Sequence, residues 1–409
     1  MNVAEKELCS GCGACINICP KACISLQYKA SGELSPYIDK SLCVDCGLCL
    51  RGCPHTAKKE LQRPTACYAA YRKNMGKRMD SASGGVGAVL YETFHKVFGE
   101  KAVSYGVVWD AETERITYKR ALTVHETEAF KGSKYVQPDI GKLHKEVEAD
   151  LRQGLYVFIA GLPCHIDGCK EYLRIKNVGT DNFYCVDLLC HGVSSQKYFE
   201  EEIKWIRKKK RLLAIENVAF RSNRKNLNYH MFFSGKKTEG THVLYDRYAA
   251  EDPYFCSFLD GISLCESCYH CRFACDERCG DLTIGDFIGI GKQKASTEYH
   301  GETHNTSMVL INTEKGQAFF EQSKDALVIF DRPYDEAIQG GASLQNPFPR
   351  HEARDAFLKE YTSVGFIKAM YRAHGKSLCK NRVKQFVKRM LIKAGINVEW
   401  LKKLIGKGL

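Results

Sequence analysis

Residues 9–20 read CSGCGACINICP and residues 43–54 read CVDCGLCLRGCP. Each run spaces its cysteines C-x2-C-x2-C-x3-C and closes on a proline. Three thiolates this close in sequence reach three corners of one [4Fe–4S] cube, and in paired runs of this kind the fourth crosses to the other cube. The spacing therefore assigns Cys9, Cys12, Cys15 and Cys53 to one cluster, and Cys43, Cys46, Cys49 and Cys19 to a second. Zinc also favours C-x2-C pairs, but two complete copies, each ended by a proline, select iron–sulfur chemistry. Gly11, Gly13 and Gly47 let the backbone come close to the sulfides, and Cys23, outside the run, reads as a small buried apolar residue.

This is the bacterial two-cluster ferredoxin pattern, so residues 1–62 are expected to form an α+β ferredoxin-like module that relays single electrons. The chain has 409 residues, 21 of them cysteine. That length calls for more than one domain. With 44% hydrophobic and 26% charged residues it has the composition of a folded protein. No signal-like segment opens the sequence, and no stretch approaches the ~18 apolar residues of a membrane span. So many thiols without a leader point to reduced metal ligands and to a cytoplasmic location.

Beyond Pro64, apolar runs alternate with amphipathic stretches. AVSYGVVW (102–109), LYVFIAG (155–161), FYCVDLLC (183–190) and DLTIGDF (281–287) read as strands, and 143–153 and 196–210 as helices, which makes residues 64–350 an α/β domain. Two strands end in cysteine-bearing turns, GLPC at 161–164 and CHG at 190–192. Ligand sites of α/β sheets lie beyond the carboxyl ends of the strands, so Cys164 and Cys190 can converge. CESCYHCRFACDERC (265–279) adds a third cysteine group. A third [4Fe–4S] cluster is expected, held either by Cys164, Cys190, Cys268 and Cys271, or by three cysteines of the 265–275 run (Cys265, Cys268, Cys271, Cys275) plus one remote thiolate. Cys169, Cys185, Cys256 and Cys379 read as ordinary buried cysteines.

Ser81-Ala82-Ser83-Gly84-Gly85 before VGAVLYETF reads as a helix N-cap with small residues, whose free N–H groups suit a cofactor phosphate. Lys131-Gly132-Ser133-Lys134-Tyr135 offers basic and aromatic side chains of the same use. Taken in order, SASGG (81–85), KGSKYVQ (131–137), AGLPCHIDG (160–168), CHGVSS (190–195), SCYHC (267–271) and DLTIGDFIGI (281–290) resemble the motifs of the coenzyme F420 hydrogenase/dehydrogenase beta-subunit family, over about residues 64–345. The resemblance implies an FAD-binding iron–sulfur oxidoreductase. Under it, Cys164, Cys190, Cys268 and Cys271 are the third cluster's ligands, and Ser81, Ser83, Gly84, Gly85, Lys131, Gly132, Ser133, Lys134 and Tyr135 are the flavin contacts. Leu162, His165, Ser194 and Ile288 depart from the family's usual Thr, Gln, Pro and Trp, which bears on the substrate: F420 or another small molecule. His191, beside Cys190, is a weak catalytic candidate, with orientation of its turn the competing role; Asp286 and Arg221 are similarly placed in family-like motifs, with a structural salt bridge the competing role of each.

The net charge is +12, and residues 361–409 hold almost all of it: twelve Lys/Arg against one acid, Glu399. Cys379, Val383, Phe386, Val387, Met390, Leu391 and Ala394 fall at helical spacing among these cations, Gly395 interrupts, and 397–405 resumes. A basic amphipathic helical tail of this kind either lies on an anionic membrane surface, at the inner face of the membrane, or docks on its own domain. Nucleic acid is not an expected partner, because no recognition motif accompanies the charge. The expected function is transfer of single electrons through the clusters to or from FAD and an organic two-electron substrate, with a redox protein as donor or acceptor. The alternative is a non-catalytic electron-transfer subunit of a larger hydrogenase or dehydrogenase complex.

Overall fold

The computed structural model describes residues 8–56, 61–221, 229–237, 240–292 and 298–394. In the amino-terminal module, β1 (Ile24–Tyr28) pairs antiparallel with β2 (Leu34–Ile38), with Ile24 opposite Ile38. Two short helices, Ala14–Ile18 and Leu48–Arg51, start in the same way. Each begins at a left-handed glycine, Gly13 and Gly47, both at φ 70°. The sequence repeat is thus a repeat of backbone conformation, one that only glycine adopts without strain.

The main sheet takes β3 (Ala66–Arg72), β4 (Ala102–Asp110), β5 (Arg115–Ala121), β6 (Tyr156–Gly161) and β7 (Phe183–Leu188). A smaller antiparallel sheet is made by β8 (Asn217–Ala219), β9 (His230–Lys236) and β10 (His242–Tyr248). β11 (Leu282–Asp286), β12 (Ser307–Ile311) and β13 (Leu327–Asp331) complete the main sheet, whose order is β13-β3-β12-β11-β7-β6-β4-β5. β4, β6, β7 and β11 are mutually parallel neighbours, and β3 runs the same way because it and β11 are both antiparallel to β12. Five carboxyl ends therefore open on one edge.

Alternation along β6 sorts the two faces. Val157 and Ile159 pack with Val147, Ile166 and Leu173 of the helices Leu143–Arg152 and Pro163–Ile175. Phe158 faces the other way, onto Phe94 and Phe319 of Val86–Phe98 and Glu314–Glu321. Ile18 of the amino-terminal module is part of the first of these cores, so the module shares apolar packing with the α/β body. The helix after SASGG starts at Gly85, left-handed at φ 82°, with no side-chain cap. The expected serine cap is absent because Ser83 Oγ instead donates to the Thr306 carbonyl at 3.5 Å.

The tail splits into two behaviours. After the helix Arg354–Val364, a single helix runs Phe366–Lys393. Its first half buries Phe366, Ala369, Met370 and Leu378 against the body. Arg389 pairs with Glu251 at 2.6 Å, and Arg382 donates to the Glu251 carbonyl. Val383, Phe386, Val387 and Met390 are 39–63% exposed on the turns beyond. Cys379 is exposed, contrary to the buried role expected of it, because it lies on the helix face turned from the body. The interruption at Gly395 and the resumed pattern at 397–405 lie outside the described residues. No helix among the described residues is long and apolar enough to cross a membrane.

Candidate functional site

The first cysteine set is compact. Every pair among Cys9, Cys12, Cys15 and Cys53 is close enough for their thiolates to repel one another, and burial raises the Cys9 thiol to about 11, with Cys12 and Cys15 also raised. Burial and mutual repulsion disfavour ionisation of Cys9, Cys12 and Cys15, and bound iron would supply the compensating positive charge. Cys19, Cys43, Cys46 and Cys49 line one pocket near the surface, with Cys46 exposed. Cys23 lines it too, its sulfur 3.4 Å from that of Cys19, so it is buried as expected but beside the metal pocket, which sequence spacing did not indicate. Val44, which lines this pocket, is exposed, as are Tyr37 and Leu42, the chain neighbours of its lining residues Ile38 and Cys43.

The third set forms at the carboxyl edge. Cys164 sits in the first turn of Pro163–Ile175 directly after β6, Cys190 two residues beyond β7, Cys268 within the short helix Glu266–Tyr269, and Cys271 just after it. Every pair among these four thiols interacts electrostatically. Burial first, then Cys271, pushes Cys190 up to about 12, and burial raises Cys164 and Cys268 as well. The other cysteines of the 265–279 group point elsewhere. Cys275 Sγ turns to the carbonyls of Arg272 and Glu277, and Cys279 Sγ to that of Pro163. Cys265 is buried beside Cys268, near Glu33 and Arg354.

The loop bearing these ligands is clamped from β7. Asp187, fully buried, accepts from Arg278 Nε at 3.0 Å, from Thr283 Oγ1 at 3.0 Å and from the backbone N–H groups of Gly280 and Cys279 at 2.7 and 3.1 Å. Arg278 in turn donates to the Phe273 carbonyl at 3.1 Å. The Asp187 contacts have no local sequence signal, because their partners lie some ninety residues further along the chain.

The three sets are adjacent. Cys164 and Gly168 share a helix face at i, i+4, and a Cβ added at Gly168 would lie 3.0 Å from Cys12 Sγ. An alanine there would already press on Cys12 and require a shift of a few tenths of an ångström, and a larger side chain more. Cys164 interacts directly with Cys12, and Cys15 with Cys49, so the thiols follow one another from the exposed pocket through the first set to the sheet edge. His144 Nε2 donates to the Cys12 carbonyl at 2.9 Å and Gln137 Nε2 to that of Ser10 at 2.8 Å, tying the module to the body at this junction.

The expected flavin contacts lie along the same edge. Gly84 is packed so closely on Ala70 and Ser307 that a Cβ would reach the Ala70 carbonyl at 2.6 Å. Ser307 is the register partner of Asp286, which pairs with Arg221 at 2.6 Å, and Arg221 reaches the Tyr135 hydroxyl. Tyr135 stacks on Phe258 at 4.6 Å, and the His191 ring lies between Phe258 and Phe348 at 5.0 and 4.1 Å. Lys134 Nζ donates to the carbonyls of Ala129, Phe130 and Lys131, so it closes its own turn. Lys131 pairs with Glu128 at 2.6 Å. Burial lowers the His191 pKa and keeps the ring neutral.

Three buried polar atoms on this edge have no hydrogen-bond partner among the described residues: Arg72 Nη1, Arg221 Nε and His191 Nε2. Arg72 ends β3 and packs beside Gly85. Two orphaned guanidinium nitrogens fit an anionic cofactor such as a dinucleotide. Sequence reasoning missed Arg72, since an arginine closing a strand carries no motif of its own.

Comparison with known proteins separates the same two parts. Residues 155–336 match the family model for the carboxyl-terminal region of the coenzyme F420 hydrogenase/dehydrogenase beta subunit, and residues 8–57 match the 4Fe-4S dicluster domain. No curated protein matches the chain. Among solved structures, a chain of the xenon-derivatised F420-reducing [NiFe] hydrogenase complex from Methanosarcina barkeri aligns over 80% of this chain and 93% of its own, at 12% identity and a TM-score of 0.39. With its paired cysteine runs at one end and its cysteine-rimmed sheet edge in the middle, the chain resembles the coenzyme F420 hydrogenase/dehydrogenase beta subunit over residues 155–336 and carries an amino-terminal 4Fe-4S dicluster domain at residues 8–57.

Proposed function

We propose that the protein is an iron–sulfur flavoprotein oxidoreductase that connects a single-electron redox protein to a two-electron organic substrate. The observation that carries this reading is the unbroken series of thiol sets, from the exposed Cys19/Cys43/Cys46/Cys49 pocket through Cys9/Cys12/Cys15/Cys53 to Cys164/Cys190/Cys268/Cys271 at the sheet edge. When bound, FAD exchanges electrons in pairs with the substrate and singly with iron–sulfur clusters, which is the conversion such a series requires. The residues divide the work by position. Ser81, Ser83, Gly84 and Gly85 with Arg72, and Gly132, Ser133 and Tyr135 with Arg221, hold the cofactor along the edge, Lys131 and Lys134 shaping the turn that carries them, while His191 offers one neutral ring nitrogen beside Cys190.

The apolar rim of Tyr37, Leu42 and Val44 suits a redox protein docking over the outermost cluster. F420 is one substrate consistent with the family. The second reading, a non-catalytic subunit that passes electrons within a larger complex, is favoured by the same exposed rim.

Anaerobic purification with metal and flavin analysis tests the reading. About twelve iron atoms per chain, bleachable absorbance near ~400 nm and about one FAD are expected. Zinc in place of iron, with no flavin, would reject both readings; iron with no flavin leaves the electron-transfer subunit.

The exposed stripe Val383, Phe386, Val387 and Met390, flanked by Lys380, Lys384 and Lys388, is the surface for an anionic bilayer. Its partners on the body side, Arg382 and Arg389, are already engaged by Glu251. Co-sedimentation with vesicles containing anionic lipid should fall about tenfold in Phe386→Asp combined with Met390→Asp. Equal sedimentation of the variant would show that the stripe has another use.

A further inference from the structure

A cluster of donors outside all three cysteine sets joins the helix Pro253–Leu259 to the terminal helix. Cys256 and Asp260 lie at i, i+4 at the end of the first helix, and His374 comes from the second. Asp260 Oδ2 accepts from Cys256 Sγ at 3.3 Å and lies 3.0 Å from His374 Nε2. One donor atom from each residue falls within 4.8 Å of the others. Cys256 is buried and the His374 side chain is 14% exposed, whereas that of Asp260 is 39% exposed, leaving one side open to solvent.

We propose that Cys256, Asp260 and His374 bind one zinc ion, with water in the fourth position. Zinc bonds of about 2.0–2.3 Å in a tetrahedron set its ligands roughly 3.3–3.8 Å apart; the Cys256–Asp260 and Asp260–His374 separations of 3.3 and 3.0 Å lie within a few tenths of an ångström of that range, and the Cys256–His374 separation stays within 4.8 Å. The mixed sulfur, nitrogen and oxygen set suits zinc. Calcium and magnesium take oxygen ligands throughout, and an iron–sulfur cluster takes thiolates.

His351 stands next to His374, with ring centroids 5.3 Å apart, but its Nδ1 accepts the Ala353 N–H at 3.0 Å. Its proton therefore sits on Nε2, and in that tautomer it has no lone pair to offer a metal. The ion would tie the terminal helix to the helix that carries Phe258, the ring stacked on Tyr135 and beside His191. The site is thus a structural support for the cofactor edge.

The competing arrangement is an Asp–His ion pair with a thiol hydrogen bond and no metal, and metal counting separates the two. Anaerobically purified full-length protein, freed of loose metal by a weak chelator, should hold about one zinc per chain in addition to its iron. His374→Gln and Asp260→Asn should each lose zinc at least about fivefold while iron per chain stays unchanged, iron serving as the check on folding. Wild-type protein stripped of zinc should take up about one equivalent of Zn2+ in a competition titration, a readout independent of any variant. Absence of zinc together with failure to take it up overturns the site, as does zinc unchanged in both variants.

Discussion

Replacing Cys164 with alanine should lower iron from about twelve to about eight atoms per chain and abolish reduction of the flavin through the amino-terminal clusters. The dicluster module itself should still bleach with dithionite. The effect is large because Cys164 stands at the junction: it interacts with Cys190, Cys268 and Cys271 on one side and with Cys12 on the other. Alanine is preferred to serine because a serine oxygen can substitute as an iron ligand.

Two further variants separate loss of a ligand from damage to the helix. Cys268→Ala, on a different element, should give the same loss of iron. Cys275→Ala should keep iron at the wild-type value, since its sulfur faces the carbonyls of Arg272 and Glu277. The opposite pattern, iron lost in Cys275→Ala and retained in Cys268→Ala, would transfer the ligand role to the 265–275 run. Flavin reduced at the wild-type rate in Cys164→Ala would remove the third cluster from the route.

How far this site was legible depends on how local each signal is. The cysteine runs at 9–20 and 43–54 carry their chemistry in their own spacing, and the apolar runs at 102–109, 155–161, 183–190 and 281–287 became strands with ends shifted by only a few residues. The turns after β6 and β7 were readable because a strand followed by a cysteine places that cysteine at a sheet edge. What lay out of reach were contacts made by the topology alone. Arg72 meets the SASGG turn that follows β3, its N–H donating to the Gly84 carbonyl at 2.8 Å, but nothing in the sequence marks the fold-back that makes this contact. Gly168 was visible within AGLPCHIDG, but its need to be glycine comes from Cys12, about 150 residues earlier. The basic tail was legible as an amphipathic helix from Cys379 onward, yet the helix starts at Phe366, because its first two turns are apolar toward the body, not toward solvent. Cys256 read as a buried cysteine and is one, but its neighbours Asp260 and His374 gather only when the terminal helix docks.

Asp187→Asn should be the most destabilising single change at the sheet edge, by about 3–5 kcal/mol in denaturant unfolding, because it leaves a buried guanidinium without its counter-ion. Asp187 and Arg278 are 0% and 1% exposed, so water cannot take over the lost charge. The asparagine amide adds a second penalty. Asp187 accepts hydrogen bonds at both oxygens, from Arg278 and Thr283 at one and from the N–H groups of Cys279 and Gly280 at the other, whereas asparagine must turn an NH2 toward one of these donor groups. Each backbone N–H left bare costs about 1–3 kcal/mol. This predicts that Asp187→Leu combined with Arg278→Met will not recover wild-type stability, although apolar replacement of a buried ion pair is often neutral. Both variants should also lose the third cluster, since Arg278 holds the Phe273 carbonyl in the loop that follows Cys271. Recovery of full stability in the double variant would mean that the carboxylate is there for the arginine alone. Persistent deficit with about eight iron atoms per chain would assign Asp187 the larger task of shaping the cysteine loop.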